Sequence, residues 1–407
     1  MARDNILVGL EIGTSKICAV VGEGRDDSTI RILGVGQTPS RGIRKGEIVD
    51  FGTASQCIHD ALADAEEKSD VEIKSVWVAV SGGHIQSFNS RGATVIPEDR
   101  GEVEEVDLRD VEISAKEVNL PKENTFLHAV IQKYYVDGHD GVLNPLGMLA
   151  HRLEANFHIV HGVTTRIQNT IRCIKEVGVD VEDIVLSSLA AAEVVLDANQ
   201  KNLGALVIDI GGGTTDYIVY ADGAIQHSGI LAVGGDHVTN DISIGLRLPI
   251  TRAEKLKIEE GSVEIGIGLP GELITVKNDS GFSGREVELE MLNTIIHARM
   301  REIFEHLKKQ IDPHVPIDML GSGVMITGGC ALLKGVRTLA EEIFEVPVHV
   351  TVPQSVTGPT SAFENPQLTT AIGLLKYGHA MQSITTSTSV LENLGQKFSS
   401  LFRGFRL

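Results

Sequence analysis

Two short segments placed 198 positions apart constrain this chain more than any other feature: Glu11-Ile12-Gly13-Thr14-Ser15-Lys16 and Asp209-Ile210-Gly211-Gly212-Gly213-Thr214-Thr215-Asp216. Each lies among β-branched runs, 6–12, 17–21 and 30–36 in the first case and 204–210, 217–220 and 224–230 in the second. Short apolar runs broken by glycine-rich turns read as antiparallel meanders. In both turns a carboxylate at a strand end is followed by glycine, which lets backbone approach a phosphate, and by hydroxyls that donate to phosphate oxygens. A repeat at about half of a 407-residue chain predicts two similar lobes facing one another, with a ligand between them. Carboxylates would repel phosphates unless a divalent cation intervened. Glu11 and Asp209 are therefore expected to face Mg²⁺, mostly through its waters, with a metal–nucleotide as ligand.

The rest of the first half alternates helical patterns (52–68 and 164–176) with strands (73–80, and a strand–helix unit at 183–198), which makes an α/β lobe. Residues 85–160 interrupt that rhythm. They are acidic at 102–112, contain Pro97, Pro121 and Pro145, lack the glycine-turn pattern of the meanders, and read as an inserted small α/β subdomain. In the second half 251–260 and 286–310 are helical, and a strand at 324–328 ends in Gly328-Gly329 before a helix at 331–344. A glycine-tipped strand of this kind can present backbone amides to a ligand. The expected division is a first lobe over 1–84 and 161–203 around the insert at 85–160, then a second lobe over 204–240 and 318–360 with a smaller subdomain at 241–317. A closing helix of the first lobe at 361–380, a polar linker at 381–390 and a terminal helix at 391–407 complete it.

Thirty-six Lys and Arg against 55 Asp and Glu give a net charge of −19. The body should therefore repel nucleic acid and anionic membrane surfaces, and any such contact must be local. The four cysteines are far apart without a C-x-x-C pair, which argues against a disulfide framework or zinc site and for a reducing cytosol. No segment reads as a signal peptide, and the longest uncharged apolar-rich run, 319–333, falls short of the ~20 residues of a bilayer span.

The tail is the local exception. Six of the seven residues 383–389 are Ser or Thr, a linker composition, and an apolar helical period follows. Leu391, Leu394, Phe398, Leu401, Phe402 and Phe405 fall within an arc of roughly 100°, flanked by Lys397, Arg403 and Arg406. A Phe-rich stripe with cations at the chain's end fits an interfacial helix on anionic lipid, and Leu394, Phe398, Leu401, Phe402, Phe405, Lys397, Arg403 and Arg406 are expected to touch the membrane.

The paired turns resemble those of the actin-like ATPase superfamily, and further signatures follow in that superfamily's order: Gly234-Gly235-Asp236 opening a helix, Glu254 and Lys257 in TRAEKLK, and ITGGCALLKG at 326–335. The resemblance implies a two-lobed α/β fold with ATP and Mg²⁺ in a central cleft. Gly13, Thr14, Ser15 and Lys16 would form the first phosphate loop, and Gly211, Gly212, Gly213, Thr214 and Thr215 the second. Gly234, Gly235, Glu254, Lys257, Gly328 and Gly329 would hold the adenosine. Within the superfamily, the LEIGT start at 10–14, the insert, PITRAEKLK at 249–257, AIGLLKYG at 371–378 and the amphipathic tail resemble the FtsA family of bacterial cell-division proteins. That likeness implies self-association, tethering of FtsZ filaments to the cytoplasmic face of the inner membrane at the division site, and recruitment of downstream divisome proteins. It places the FtsZ-binding surface on the smaller subdomain of the second lobe, where Arg299, Arg301 and Glu302 are candidates.

Relatives that hydrolyse ATP carry Glu or Gln just before an Ala-rich helix, to orient water; here the aligned position in LSSLAAAE is Ser187. Weak or negligible hydrolysis is expected, and no catalytic residue is assigned. Two other classes fit the phosphate turns: a sugar or acid kinase, which would need a catalytic acid that cannot be assigned, and a pilus-assembly homologue resembling PilM, against which the amphipathic tail argues.

Overall fold

The computed structural model describes residues 5–25, 27–266, 271–276 and 284–392. The first lobe opens with three antiparallel strands, β1 (Ile6–Ile12), β2 (Lys16–Gly24) and β3 (Ile30–Pro39), then a small hairpin, β4 (Ile43–Arg44) and β5 (Glu47–Ile48). Helix α1 (Phe51–Ser69) and strand β6 (Ser75–Val80) follow. Asp50 caps α1 by accepting the Thr53 N–H at 3.1 Å, and Asp70 ends it in the left-handed region (φ 53°). The insert comprises β7 (Ile85–Val95), α2 (Glu105–Lys116), β8 (Asn124–Val136), β9 (His139–Val142) and β10 (Arg152–Val163). The first lobe resumes with α3 (Thr164–Glu176), β11 (Asp180–Leu186), α4 (Ser187–Val195) and α5 (Ala198–Leu203).

The second lobe repeats the meander as β12 (Ala205–Ile210), β13 (Thr215–Ala221) and β14 (Ala224–Leu231), followed by α6 (Gly235–Gly245) and α7 (Ile250–Glu259). A two-stranded ribbon, β15 (Leu273–Val276) and β16 (Arg285–Glu288), leads into α8 (Leu289–Ile311). Strand β17 (Val324–Thr327), α9 (Val336–Phe344) and β18 (Val348–Val350) complete this lobe. The chain then returns to the first lobe through β19 (Val356–Thr357), α10 (Thr360–Phe363) and α11 (Thr369–Glu392).

Three main sheets result, in orders β11-β6-β1-β2-β3-β19 for the first lobe, β14-β13-β12-β17-β18 for the second and β7-β10-β8-β9 for the insert. In each lobe an antiparallel hairpin lies beside a parallel strand: β1 pairs with β6, β12 with β17. Helices cover both faces of the two lobe sheets, so central strands there carry apolar runs, as in Ala205–Ile208. Phe304 of α8 and Phe344 of α9, ring centroids 5.5 Å apart, anchor the second lobe's core.

The insert rests on the open edge of β14. Side chains rather than backbone make that seam: Ser87 Oγ donates to Ser228 O (2.6 Å), Asn89 Nδ2 to Gln226 O (2.9 Å) and Gln132 Nε2 to Ile225 O (2.6 Å). His158 stands behind them, its Nδ1 2.7 Å from Asn89 Oδ1 and its Nε2 2.8 Å from Ser228 Oγ.

Three boundaries differ from the sequence reading. The helix expected over 331–344 begins only at Val336, after a 3₁₀ turn at Gly329–Leu332, because Gly335 sits in the left-handed region (φ 77°) and restarts the chain. The helix expected from 286 begins at Leu289, since 285–288 pair as a strand. The Ser/Thr run at 383–389, read as a linker, is instead helical, continuing α11 to Glu392. Ala371, Ile372, Leu374 and Leu375 are buried and pin the start of that helix. A nucleated helix then extends through Ser and Thr at a cost of only a few tenths of a kcal/mol each, and the Ser383 hydroxyl donates back to His379 O at 2.8 Å. Residues 393–407, with the amphipathic stripe beyond Leu391, lie outside the described residues.

Candidate functional site

The two acidic turns are the tips of the β1–β2 and β12–β13 hairpins, and their register is the same in both lobes. Glu11 pairs with Cys18 and Ile12 with Ile17; Asp209 pairs with Asp216 and Ile210 with Thr215. Each turn closes on one backbone bond, Gly13 N–H to Lys16 O (3.0 Å) and Gly211 N–H to Thr214 O (2.9 Å). The tips meet face to face. A Cβ added to Gly212 would lie 3.0 Å from Ser15 Cβ, and one on Gly213 would strike the Thr14 side chain. Glycine at these places is what allows two lobes to converge. They bound a cleft of ≈ 1420 Å³, counted with its open mouth.

Three carboxylates gather in the cleft. Glu11 pairs with Lys16 at 3.3 Å. Asp209 Oδ2 accepts the Thr370 hydroxyl at 2.6 Å, and burial, then the neighbouring Glu11, push its carboxyl up to about 6. Asp216 Oδ2 accepts the Ser81 hydroxyl at 2.8 Å, while its Oδ1 is buried without a hydrogen-bond partner. Burial and then Asp209 push Asp216 up to about 7. Like charges forced together out of water favour a retained proton, and a divalent cation removes that preference. An all-oxygen donor set suits Mg²⁺. Among the described residues no three His, Cys, Asp or Glu side chains converge as direct ligands, so such an ion would be held largely through waters and phosphate oxygens.

At the other end, Lys257 of α7 is buried. Its Nζ lies 2.7 Å from Glu254 Oε2 and donates to Gly235 O (3.1 Å) and Thr239 Oγ1 (2.9 Å). Helix α6 is docked on the second turn, with Gly235 N–H to Gly211 O (2.9 Å) and Asp236 N–H to Gly212 O (2.8 Å). Gly328 (φ 87°) crosses so close to the hairpin that an added Cβ would strike Asp209 Oδ1 and lie 2.7 Å from Ile210 O.

Glu11, Gly13, Thr14, Ser15, Lys16, Asp209, Gly211–Thr214, Gly235, Glu254, Lys257, Gly328 and Gly329 all line this cleft. Thr215 and Gly234 do not. Strand alternation turns Thr215 to the opposite face from Thr214 and Asp216, and its hydroxyl donates to Val233 O at 2.8 Å; Gly234 packs behind the second turn against Gly211 O and Gly212 O. The sequence reading left out Ser81, Gln367 and Thr370, and gave no role to Asp216 and Asp236 although both fell within its motifs; all five line the cleft. Asp216 had a signal, two positions after Thr214 on the same strand face. Ser187 lines the cleft too, with its hydroxyl committed to Val80 O at 2.9 Å.

On α8, Arg299 pairs with Asp241 and Glu302 (both 2.6 Å), and Arg301 with Glu342 (2.5 Å) and Glu305 (3.6 Å). Leu394, Lys397, Phe398, Leu401, Phe402, Arg403, Phe405 and Arg406 lie outside the described residues.

Duplicated hairpin lobes closing on one cleft define an actin-like ATPase fold. Among solved structures, the PilM–PilN type IV pilus biogenesis complex matches at 15% identity with a TM-score of 0.65, covering 92% of this chain and 98% of that one. MreB5 of Spiroplasma citri bound to ADP matches at 15% identity and a TM-score of 0.54, covering 97% and 100%. At such identities the likeness concerns the fold alone. Residues 206–373 match the family described as cell division protein FtsA, and 82–161 the SHS2 domain inserted in FTSA. Cell division protein FtsA of Pseudomonas aeruginosa is 38% identical over 395 residues (97% of this chain, 94% of the relative). The Neisseria meningitidis protein is 39% identical over 367 residues (90% and 88%), and that of Escherichia coli K12 33% over 384 (92% and 90%). The chain belongs to the FtsA family of cell-division proteins.

Proposed function

We propose that this chain binds Mg²⁺–ATP in the cleft, self-associates, and tethers FtsZ filaments to the cytoplasmic face of the membrane at the division site, where it recruits downstream divisome proteins. The observation that carries the nucleotide reading is the convergence of two glycine turns on three carboxylates, of which Asp216 is buried with one unsatisfied oxygen.

Backbone N–H groups of Thr14–Lys16 and Gly212–Thr214 would surround the phosphates, on turns closed by the Gly13 and Gly211 N–H groups, with the hydroxyls of Thr14, Ser15 and Thr214 alongside. Glu11, Asp209 and Asp216 would hold the cation's waters; when bound, the ion supplies the charge that offsets both carboxylates and phosphates. Glu254 and Lys257 would take the ribose, and the Gly328-Gly329 crossing the adenine. At the position aligned with the water-orienting Glu or Gln stands Ser187, a weak base whose hydroxyl proton is donated to Val80 O. ATP then acts mainly as a ligand that sets conformation and assembly, with turnover below the ~1 s⁻¹ ordinary for an enzyme.

The FtsZ C-terminal peptide would dock on the second lobe's smaller subdomain, where a groove between α6 and α8 joins exposed Ile244 to Ile295 and carries Arg299 and Glu302 at its rim. No helix among the described residues is long and apolar enough to cross a membrane. The attachment proposed here is through the apolar and cationic stripe of the terminal sequence. Each buried Leu or Phe there contributes about 1.5–3 kcal/mol, and avidity across an assembly would make weak single contacts sufficient.

A fluorescent ATP analogue titrated with and without Mg²⁺ tests the cleft; absence of saturable binding would remove the reading. Co-sedimentation with anionic liposomes, comparing the full chain with one ending at Glu392, tests the tether, and equal pelleting would rule out lipid attachment.

A further inference from the structure

The β4–β5 hairpin reaches into the mouth of the cleft, and its tip carries a cation. Lys45 and Gly46 form a two-residue turn with both residues in the left-handed region (φ 52° and 75°). Such turns favour Asn and Gly, and lysine adopts this backbone at a cost. Its surroundings hold it there. The Gly46 N–H donates to Thr14 Oγ1 at 3.1 Å, and a Cβ added to Gly46 would lie 2.9 Å from Ser81 O. A Cβ added to Gly213 would lie 3.0 Å from Lys45 Cα. The base of the hairpin is fixed by Glu47, which pairs with Arg166 and lies 3.4 Å from His84 Nδ1. The tip is thus wedged among the first glycine turn, the second glycine turn and the end of β6, and Gly46 itself lines the cleft.

Lys45 is half-buried, and in a chain of net charge −19 no carboxylate among the described residues pairs with it. Its charge reaches the second lobe: His237, in the first turn of α6, is lowered by burial and then by Lys45 and Arg299. Lys45 thus has its backbone against the second glycine turn, at the rim of the cleft beside the Gly46 that lines it, and an ammonium unpaired there, its field felt by His237 at the start of α6, lacks an anion.

We propose that Lys45 contacts the outermost phosphate of the bound nucleotide and makes the cleft discriminate triphosphate from diphosphate. The proposal rests on the cleft being the nucleotide site. The phosphate-loop glycines serve all phosphates alike, whereas Lys45 approaches from the mouth, on the first lobe, against the turn of the second. It would report the terminal phosphate to both lobes at once.

The test is the pair of dissociation constants, for a non-hydrolysable Mg²⁺–ATP analogue and for Mg²⁺–ADP, in the full chain and in Lys45→Gln, Lys45→Gly and Lys45→Arg. One charge-assisted hydrogen bond predicts a loss of at least ~10-fold for the triphosphate in Lys45→Gln and Lys45→Gly. ADP should be unaffected, and Lys45→Arg should stay within about threefold of the parent. Glycine suits the left-handed backbone better than lysine, so Lys45→Gly should keep the nucleotide-free unfolding midpoint and separate charge from folding. An equal loss for both nucleotides, or no change for either, overturns the role of Lys45 while leaving the cleft as a nucleotide site. Failure of the unaltered chain to bind either nucleotide overturns the cleft reading and this one together.

Discussion

Ser81, at the end of β6 in the first lobe, donates its hydroxyl to Asp216 of the second lobe at 2.8 Å, across 135 positions of sequence. It satisfies only one oxygen of that carboxylate, whose other oxygen is buried without a partner. The nucleotide-free cleft therefore favours the protonated acid, and Asp216 is pushed up to about 7. Because the folded state holds this proton more tightly than the unfolded chain, the contribution is largest at acid pH and is lost as pH rises toward the folded value. Between pH 5.5 and 7.5 the nucleotide-free chain should lose about 2 kcal/mol through Asp216. Urea unfolding of the parent and of Asp216→Asn at both pH values measures this, and the difference between them should shrink as pH falls.

His158 gives the opposite slope. Burial, then His227 and His128, lower it to about 3, so the folded seam between insert and β14 keeps it neutral. The unfolded chain takes up a proton below about 6.5, and stability is lost as pH falls through that value, by about 2 kcal/mol at pH 5. His158→Gln should be destabilised at pH 8 by about 1–3 kcal/mol, for the altered hydrogen bonds to Asn89 and Ser228. Its further loss on acidification should be smaller than the parent's.

Lys257 is buried against Glu254, Thr239 and Gly235 O. Lys257→Met removes a buried ammonium and its bonds to Gly235 O and Thr239, but the Glu254 it leaves unpaired is 39% exposed and can be solvated, so the expected cost is about 1–2 kcal/mol in unfolding free energy. If the pair also holds the ribose, nucleotide binding should weaken more than stability alone accounts for, read as the shift in midpoint on adding saturating ATP.

Gly328→Ala places a methyl on Asp209 Oδ1 and Ile210 O, at a left-handed backbone (φ 87°) that alanine adopts poorly. A loss of about 2 kcal/mol or more is expected, together with loss of nucleotide protection, since the displaced neighbour is Asp209 itself. Gly329→Ala, which meets only the far end of Gln367 at 3.9 Å, is the control for folding and should be nearly neutral in unfolding free energy without nucleotide.

What the sequence made legible follows from how local each signal is. The twin hairpins could be read because acid, glycine and hydroxyl sit within eight residues, and the equal spacing of Glu11–Cys18 and Asp209–Asp216 carries the duplication into the strand register. The site residues that escaped notice are the non-local ones. Ser81 meets Asp216, and Thr370 meets Asp209 across 161 positions, so no spacing within either segment announces the contact. The Ser/Thr run at 383–389 was misleading for a different reason: composition describes what an isolated segment would do, whereas α11 arrives there already anchored by Ala371, Ile372, Leu374 and Leu375.

The side chains of Ser87, Asn89 and Gln132 occupy carbonyl oxygens along β14 that an incoming strand would otherwise use. An uncovered rim of this sort invites runaway sheet extension between molecules, as in amyloid. With that rim blunted, a neighbouring molecule cannot lengthen this sheet by laying its own strand along β14, and any contact made there has to be between side chains.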